Sequence, residues 1–99
     1  MPRYRLTRRA DRKLEAIYRY TFENFGAAQA DSYFAALEET FGLLAERPHL
    51  GRTFHEYRRF EHESHIIFCR PRRGGILIVD IFHQRENTDK IRKLYSGTD

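Results

Sequence analysis

HIIFCRPRRGGILIVDIFHQR, residues 65–85, holds two runs rich in Ile, Val, Leu and Phe on either side of Pro71 to Gly74. Two β-formers' runs flanking a short segment of Pro, Arg and Gly read as a β-hairpin.

Upstream, the period-two stretch Tyr57 to His62 predicts a polar-rich strand that joins the hairpin. With Arg70 set opposite Gly75, Ile66 and Phe68 share a face with Leu77, Val79 and Ile81, and that face is expected to meet the helices. The opposite face carries Ile67, Cys69, Ile76, Ile78 and Phe82. It is too apolar for a solvated face, so another part of the chain or a partner is expected to cover it.

The first half of the chain is helical by pattern. Thr7 is a plausible N-cap, and Ala10, Leu14, Ile17, Tyr18, Phe22 and Phe25 then follow a three-and-four spacing up to Gly26. A second stripe, Ala30, Tyr33, Phe34, Leu37, Phe41, Leu44 and Ala45, ends before Pro48. The short link predicts an antiparallel helical hairpin, with Phe22 and Phe25 meeting aromatic positions early in the second helix. Gly42 inside that helix is read as a close-packing position. Arg3 to Leu6 can form an edge strand, and the polar segment from Glu86 onward supports at most a short helix through Ile91, Leu94 and Tyr95. The expected class is therefore α+β: an N-terminal strand, an antiparallel helical hairpin, then a three-stranded antiparallel sheet.

The 99 residues form one expected domain, 1–99, with 40% hydrophobic and 32% charged residues. Neither a signal peptide nor a membrane-spanning run is visible, so a cytoplasmic location is expected. Cys69, the single cysteine, lies in an apolar run and reads as a buried, inert thiol.

Of 18 basic residues only Lys13, Lys90 and Lys93 are lysines, which leaves 15 arginines and a net charge of +4. Residues 27–48 carry one basic and four acidic groups, whereas both ends of the chain are basic. An anionic partner is favoured, either nucleic acid or an acidic protein. The acidic second helix argues against a helix-turn-helix that reads DNA.

Motifs for phosphate loops and zinc are absent. His62 and His65, three apart in a strand or turn, are expected on opposite faces, which leaves no metal site. A Cys69–His83 nucleophile lacks an activated, exposed thiolate. The remaining candidates are basic: Arg52, Arg58, Arg59, Arg70, Arg72, Arg73, His83 and Arg85. Three readings stay open for them: RNA phosphate binding with His83 as a general acid or base, docking of an acidic protein, or a solvated face.

The order of motifs resembles the ParE branch of the ParE/RelE toxins from bacterial type II toxin-antitoxin systems. The resemblance rests on Gln29-Ala30 with Tyr33, Leu44-Ala45 followed by Pro48, Gly51 and Arg52, and His65, Ile67, Phe68 and Arg70. Gly75, Ile76, Ile81, His83 and Arg85 complete it. It implies the same fold, a toxin without cofactor or metal, and a hetero-oligomer with a ParD-like antitoxin that wraps the toxin as a helix and an extended piece. Operator DNA is then bound only through the antitoxin. ParE-like members are associated with inhibition of DNA gyrase, RelE-like members with ribosome-dependent cleavage of messenger RNA. The cutters usually keep a tyrosine or histidine close behind the last strand. Here Ile91 stands six residues after Arg85 and Tyr95 farther on, so a gyrase-binding toxin with no catalytic residues is expected, and the endonuclease is the alternative. Cys69, where tyrosine is common, and Glu86-Asn87 depart from the pattern. Arg58, Arg59, Arg70, His83 and Arg85 are the expected target or antitoxin contacts, and Tyr18, Phe22, Tyr33, Ile76, Ile78 and Phe82 the expected antitoxin groove.

Overall fold

In the computed structural model, which describes residues 3–86 and 88–95 apart from the Thr88 side chain, Thr7 marks the change from strand to helix. Strand β1 (Arg3–Leu6) ends there and helix α1 (Arg8–Phe25) begins. The Thr7 hydroxyl accepts from the Ala10 N–H at 3.0 Å, the N-cap bond that its position suggested. Gly26, at φ 91°, closes α1 by donating to the Phe22 carbonyl and lets α2 (Ala27–Glu46) start at once. A turn of 3-10 helix over Pro48–Leu50 stops α2 where proline was expected to.

Strands β2 (Arg52–Phe54), β3 (Tyr57–His62), β4 (His65–Arg72) and β5 (Gly75–His83) follow, then α3 (Thr88–Tyr95). They form one five-stranded sheet in the order β1-β5-β4-β3-β2, antiparallel except where β1 pairs parallel to β5. The expected α+β class holds, with β2 as an additional strand.

The β4–β5 register differs from the expected one. Gly75 faces Arg72 and Leu77 faces Arg70, so the turn is the two residues Arg73-Gly74 rather than Pro71 to Gly74. Between Phe68, which faces Asp80, and Cys69, which faces Ile78, β5 contains one extra residue, Val79. This is a β-bulge, and it exchanges the faces of everything after it.

The faces are reversed along β4 and, on β5, up to the bulge, whereas Ile81 and Phe82 beyond it lie on the expected sides. Ile67, Cys69, Ile76, Ile78 and Ile81 pack under the helices with Ala10, Leu14, Leu37, Phe41 and Leu44. Tyr4 from β1 joins them, its ring 5.3 Å from Phe41. Ile66, Phe68 and Phe82 lie on the other face, under Tyr95 and Ile91 of α3. The chain thus covers its own second face. Both faces are apolar near the turn to β3, so apolar content could not tell which meets the helices.

Two helix expectations also fail. Phe22 and Phe25 are 48% and 66% exposed rather than buried between the helices. At Gly42 a Cβ would meet nothing within 4 Å, so the glycine is not a close-packing device.

Candidate functional site

His62 and His65 face each other directly across the two-residue turn Glu63-Ser64. A tight turn reverses the chain, so the residues it pairs share one face; the expectation of opposite faces holds only along a single strand. Tyr33 comes down from α2 onto both, with ring centroids 5.6 Å from each. Its hydroxyl lies 2.7 Å from His65 Nδ1, and the Thr40 hydroxyl lies 2.9 Å from His62 Nδ1. His62 Nε2 is buried without a hydrogen-bond partner and sits 3.8 Å from Glu63 Oε2.

His83 enters the same cluster because it faces His65 across β4–β5, the two rings 5.3 Å apart and nearly perpendicular. The Arg85 N–H donates to His83 Nδ1 at 3.1 Å, which leaves the His83 proton on Nε2. Burial, reinforced by the neighbouring His83 and His62, pushes His65 down to about 4. Burial, with Glu63 adding to it, pushes Tyr33 up to about 12. Both are therefore neutral at physiological pH, the Tyr33 hydroxyl donating to His65 Nδ1. This pair positions the turn; it holds neither an ionised base nor a nucleophile.

Tyr33, His65 and His83 of this cluster line an open cleft of about 630 Å³ together with Lys13, Tyr20 and Phe25 of α1 and with Arg85. A polar group backed by an apolar one fits such walls. A second groove of about 780 Å³ lies on the opposite side of the helical hairpin, between Tyr18 and Phe22 of α1 and Phe34 of α2. Tyr18 meets Phe34 edge-on at 5.9 Å and donates to Asp31 at 2.6 Å. The expected groove residues are thus divided. Tyr18 and Phe22 line one groove and Tyr33 the other, while Ile76, Ile78 and Phe82 are core. A partner reaches those three only by displacing a helix.

The basic candidates are divided as well. Arg58 donates to the Gly51 carbonyl at 3.0 Å, Arg59 lies 3.5 Å from Glu61, and Arg70 lies 3.6 Å from Glu56. Arg70 faces Leu77, six residues along β5 from His83. At about 3.3 Å per residue that is roughly 20 Å. Arg70, His83 and Arg85 therefore do not converge on one reacting group. Among the described residues no cluster of three His, Cys, Asp or Glu side chains could hold a metal ion, and no helix is long and apolar enough to cross a membrane. Cys69 is fully buried, and burial pushes its thiol up to about 11.

Asp80 escaped the sequence reading. It is fully buried, and its carboxylate accepts from Arg9 Nε at 2.6 Å, Lys13 Nζ at 3.1 Å, the Tyr95 hydroxyl at 2.6 Å and the Ile81 N–H at 2.8 Å. It ties α1 to α3 over the end of β5. A lone carboxylate within Ile-Val-Asp-Ile-Phe was the available signal, since acidic residues are seldom buried unless paired.

The model of the ParE toxin of type II toxin-antitoxin systems, parDE, matches residues 4–88. The chain belongs to the ParE toxin family. It is 40% identical over 90 residues to Toxin ParE of Escherichia coli, covering 86% of this chain and 87% of that one. Toxin ParE1 of Caulobacter vibrioides is 34% identical over 88% of this chain and 94% of its own length. Toxin ParE1 of Mycobacterium tuberculosis is 33% identical over 89% and 95%. The fold is shared with a chain of the chromosomal ParDE toxin-antitoxin system from P. aeruginosa, at a TM-score of 0.72, 21% identity and coverage of 84% of this chain and 96% of that one. Family membership accounts for the helical hairpin and the sheet.

Proposed function

We propose that this chain is the toxin of a ParDE-type pair, held silent by a ParD-like antitoxin in a hetero-oligomer, and that the free toxin acts in the cytoplasm by binding and inhibiting DNA gyrase. The observation that carries the reading is the open aromatic groove of Tyr18, Phe22 and Phe34 in a ParE-family chain, bordered by Glu15, Arg19, Glu23 and Asp31. An apolar floor with charges of both signs on its rim suits an amphipathic helix laid along α1 and α2. His83 and Arg85, in the lining of the other cleft, remain free for the target.

Messenger RNA cleavage is the weaker reading. It needs a phosphate clamp and an acid or base around one phosphodiester, and the roughly 20 Å from Arg70 to His83 along β5 keeps them apart.

The test is to release the toxin from its co-expressed antitoxin, then assay gyrase supercoiling beside cleavage of ribosome-bound message. Loss of supercoiling, restored on adding back the antitoxin, is expected with the message intact. Cut message and unaffected gyrase would overturn the proposal.

A further inference from the structure

The sheet face away from α1 and α2 is covered by α3 at one end only. At the other end it is basic. Tyr4 and Leu6 pack toward the helices, so Arg3 and Arg5 point the opposite way, and both are exposed. Ile67 and Cys69 pack toward the helices, so Arg70 and Arg72 share the face of Arg3 and Arg5.

Strand pairing aligns these four. Arg3, Gly75 and Arg72 stand side by side across β1, β5 and β4, and Arg5, Leu77 and Arg70 form the next row. Neighbouring strands lie about 4.8 Å apart and alternate residues about 6.8 Å along a strand, so the backbone positions form a rectangle of roughly 10 by 7 Å. Glu56, 3.6 Å from Arg70, is the carboxylate paired with this group; the side chains of Arg3, Arg5 and Arg72 have no partner among the described residues. Arg59 and Arg52, opposite each other across β3 and β2, lie on the same face, with Arg59 3.5 Å from Glu61. On the far side of the molecule α2 carries Asp31, Glu38, Glu39 and no basic residue before its C-cap Arg47. Charge is thus segregated, with the sheet face positive and the α2 side negative.

We infer that this arginine rectangle is a phosphate-binding surface that grips the backbone of duplex DNA without reading its sequence. Arginine presents a planar fork suited to phosphate oxygens, and such contacts give affinity without sequence discrimination. Single-stranded nucleic acid is held largely by stacking of bases on exposed aromatic rings. The exposed Phe and Tyr side chains, Tyr20, Phe22 and Phe25, all lie on α1, and between the arginines stand Gly75 and Leu77. The surface therefore suits a duplex, whose bases are turned inward. This grip is distinct from reading an operator and stands whichever protein the toxin acts on.

The test uses the full chain and a fluorescein-labelled random-sequence duplex, with binding followed by fluorescence anisotropy as salt is raised. Four neutralised phosphates give a slope of about −3.6 in log affinity against log salt, a loss of about a hundredfold between 50 and 200 mM salt. The double variant Arg5→Ala/Arg72→Ala is expected to flatten the slope by about 1.8. Arg47→Ala, on the acidic side, is expected to leave it unchanged. Both altered arginines are exposed and have no partner among the described residues, so circular dichroism should report an unaltered fold. An unchanged slope in the double variant overturns the inference. So does a polyglutamate peptide that binds as tightly as the duplex, which would make the face an acidic-protein site, or single-stranded RNA that binds more tightly than the duplex.

Discussion

Replacing Asp80 by Asn probes how the two layers over β5 are joined. The side chain is fully buried, and Asn keeps its shape while it exchanges one acceptor oxygen for a donor NH2. Oδ2 accepts from Arg9 and Tyr95, and Oδ1 from Lys13 and the Ile81 N–H. Either orientation of the amide therefore points its NH2 at two donors. Hydrogen bonds to a charged group contribute about 1.5–3 kcal/mol each. Arg9 and Lys13 are 52% and 30% exposed and can turn back to water, which lowers the sum. Tyr95, at 8% exposure, cannot do so without lifting α3. The expected loss is about 2–3 kcal/mol, a large part of the roughly 5–15 kcal/mol of a domain this size. Urea unfolding at pH 7 reads it directly, and the melting temperature should fall by roughly 10–20 °C. Tyr95→Phe should cost about 1–1.5 kcal/mol and the double variant less than the sum, because both remove the same bond. A loss under about 0.5 kcal/mol for Asp80→Asn, or strict additivity with Tyr95→Phe, would refute the reasoning.

Three further outcomes are expected. Gly42→Ala should stabilise the chain by up to about 1 kcal/mol in urea unfolding, since the helix gains and a Cβ there meets nothing within 4 Å; destabilisation would show an unseen close approach. Gly75→Ala should destabilise by several kcal/mol or prevent folding, because a Cβ at φ 154° overlaps the Arg3 carbonyl and separates β1 from β5; a near-native melting temperature would contradict that pairing. His65 is pushed from about 6.5 to about 4, so the unfolded chain binds its proton first on acidification. Stability is then present above about pH 6.5 and declines toward about pH 4, by about 1–2 kcal/mol after allowance for partial solvent screening. A urea midpoint series should show this slope reduced in His65→Gln, and an equal slope in both proteins would contradict it.

The helical half of the chain was legible because local rules decide it. Thr7, the three-and-four stripe, Gly26 and Pro48 are signals in sequence, and each acts within a turn or two of itself. The sheet side was legible only as strands. Which face meets the helices depends on where α3 lies, and residues 66–69 are apolar on both faces. One local signal was available: Arg70 and Arg72 share parity with Ile66 and Phe68, and their charge marks the face away from the helices. The site was less legible still. Tyr33 was identified as a partner-groove residue and His83 as a contact, yet nothing local shows that Tyr33 meets His65 and His62, contacts separated by about thirty residues.

The bulge at Val79 decides which β5 side chains beyond it reach the helices. In a regular strand the parity of Ile76 and Ile78, which face the helices, would send Ile81 and His83 to the other side. The extra residue returns both to the helix side, which is why His83 reaches His65 and the cleft under Tyr33. The bulge also lies where β1 ends, with Leu6 facing Ile78, so the carbonyls of Ile78 and Val79 come next to Thr7. Thr7 takes both, the first through its N–H at 3.0 Å and the second through its hydroxyl at 2.7 Å. That seats the first turn of α1 against β5 and brings Arg9 and Lys13 to Asp80, whose other partner is Tyr95 of α3. A single inserted residue thus sets the position of α1, the anchorage of α3 and the membership of the histidine cluster. None of these follows from binary patterning, because a bulge leaves the strand's composition unchanged while it reverses the meaning of its alternation.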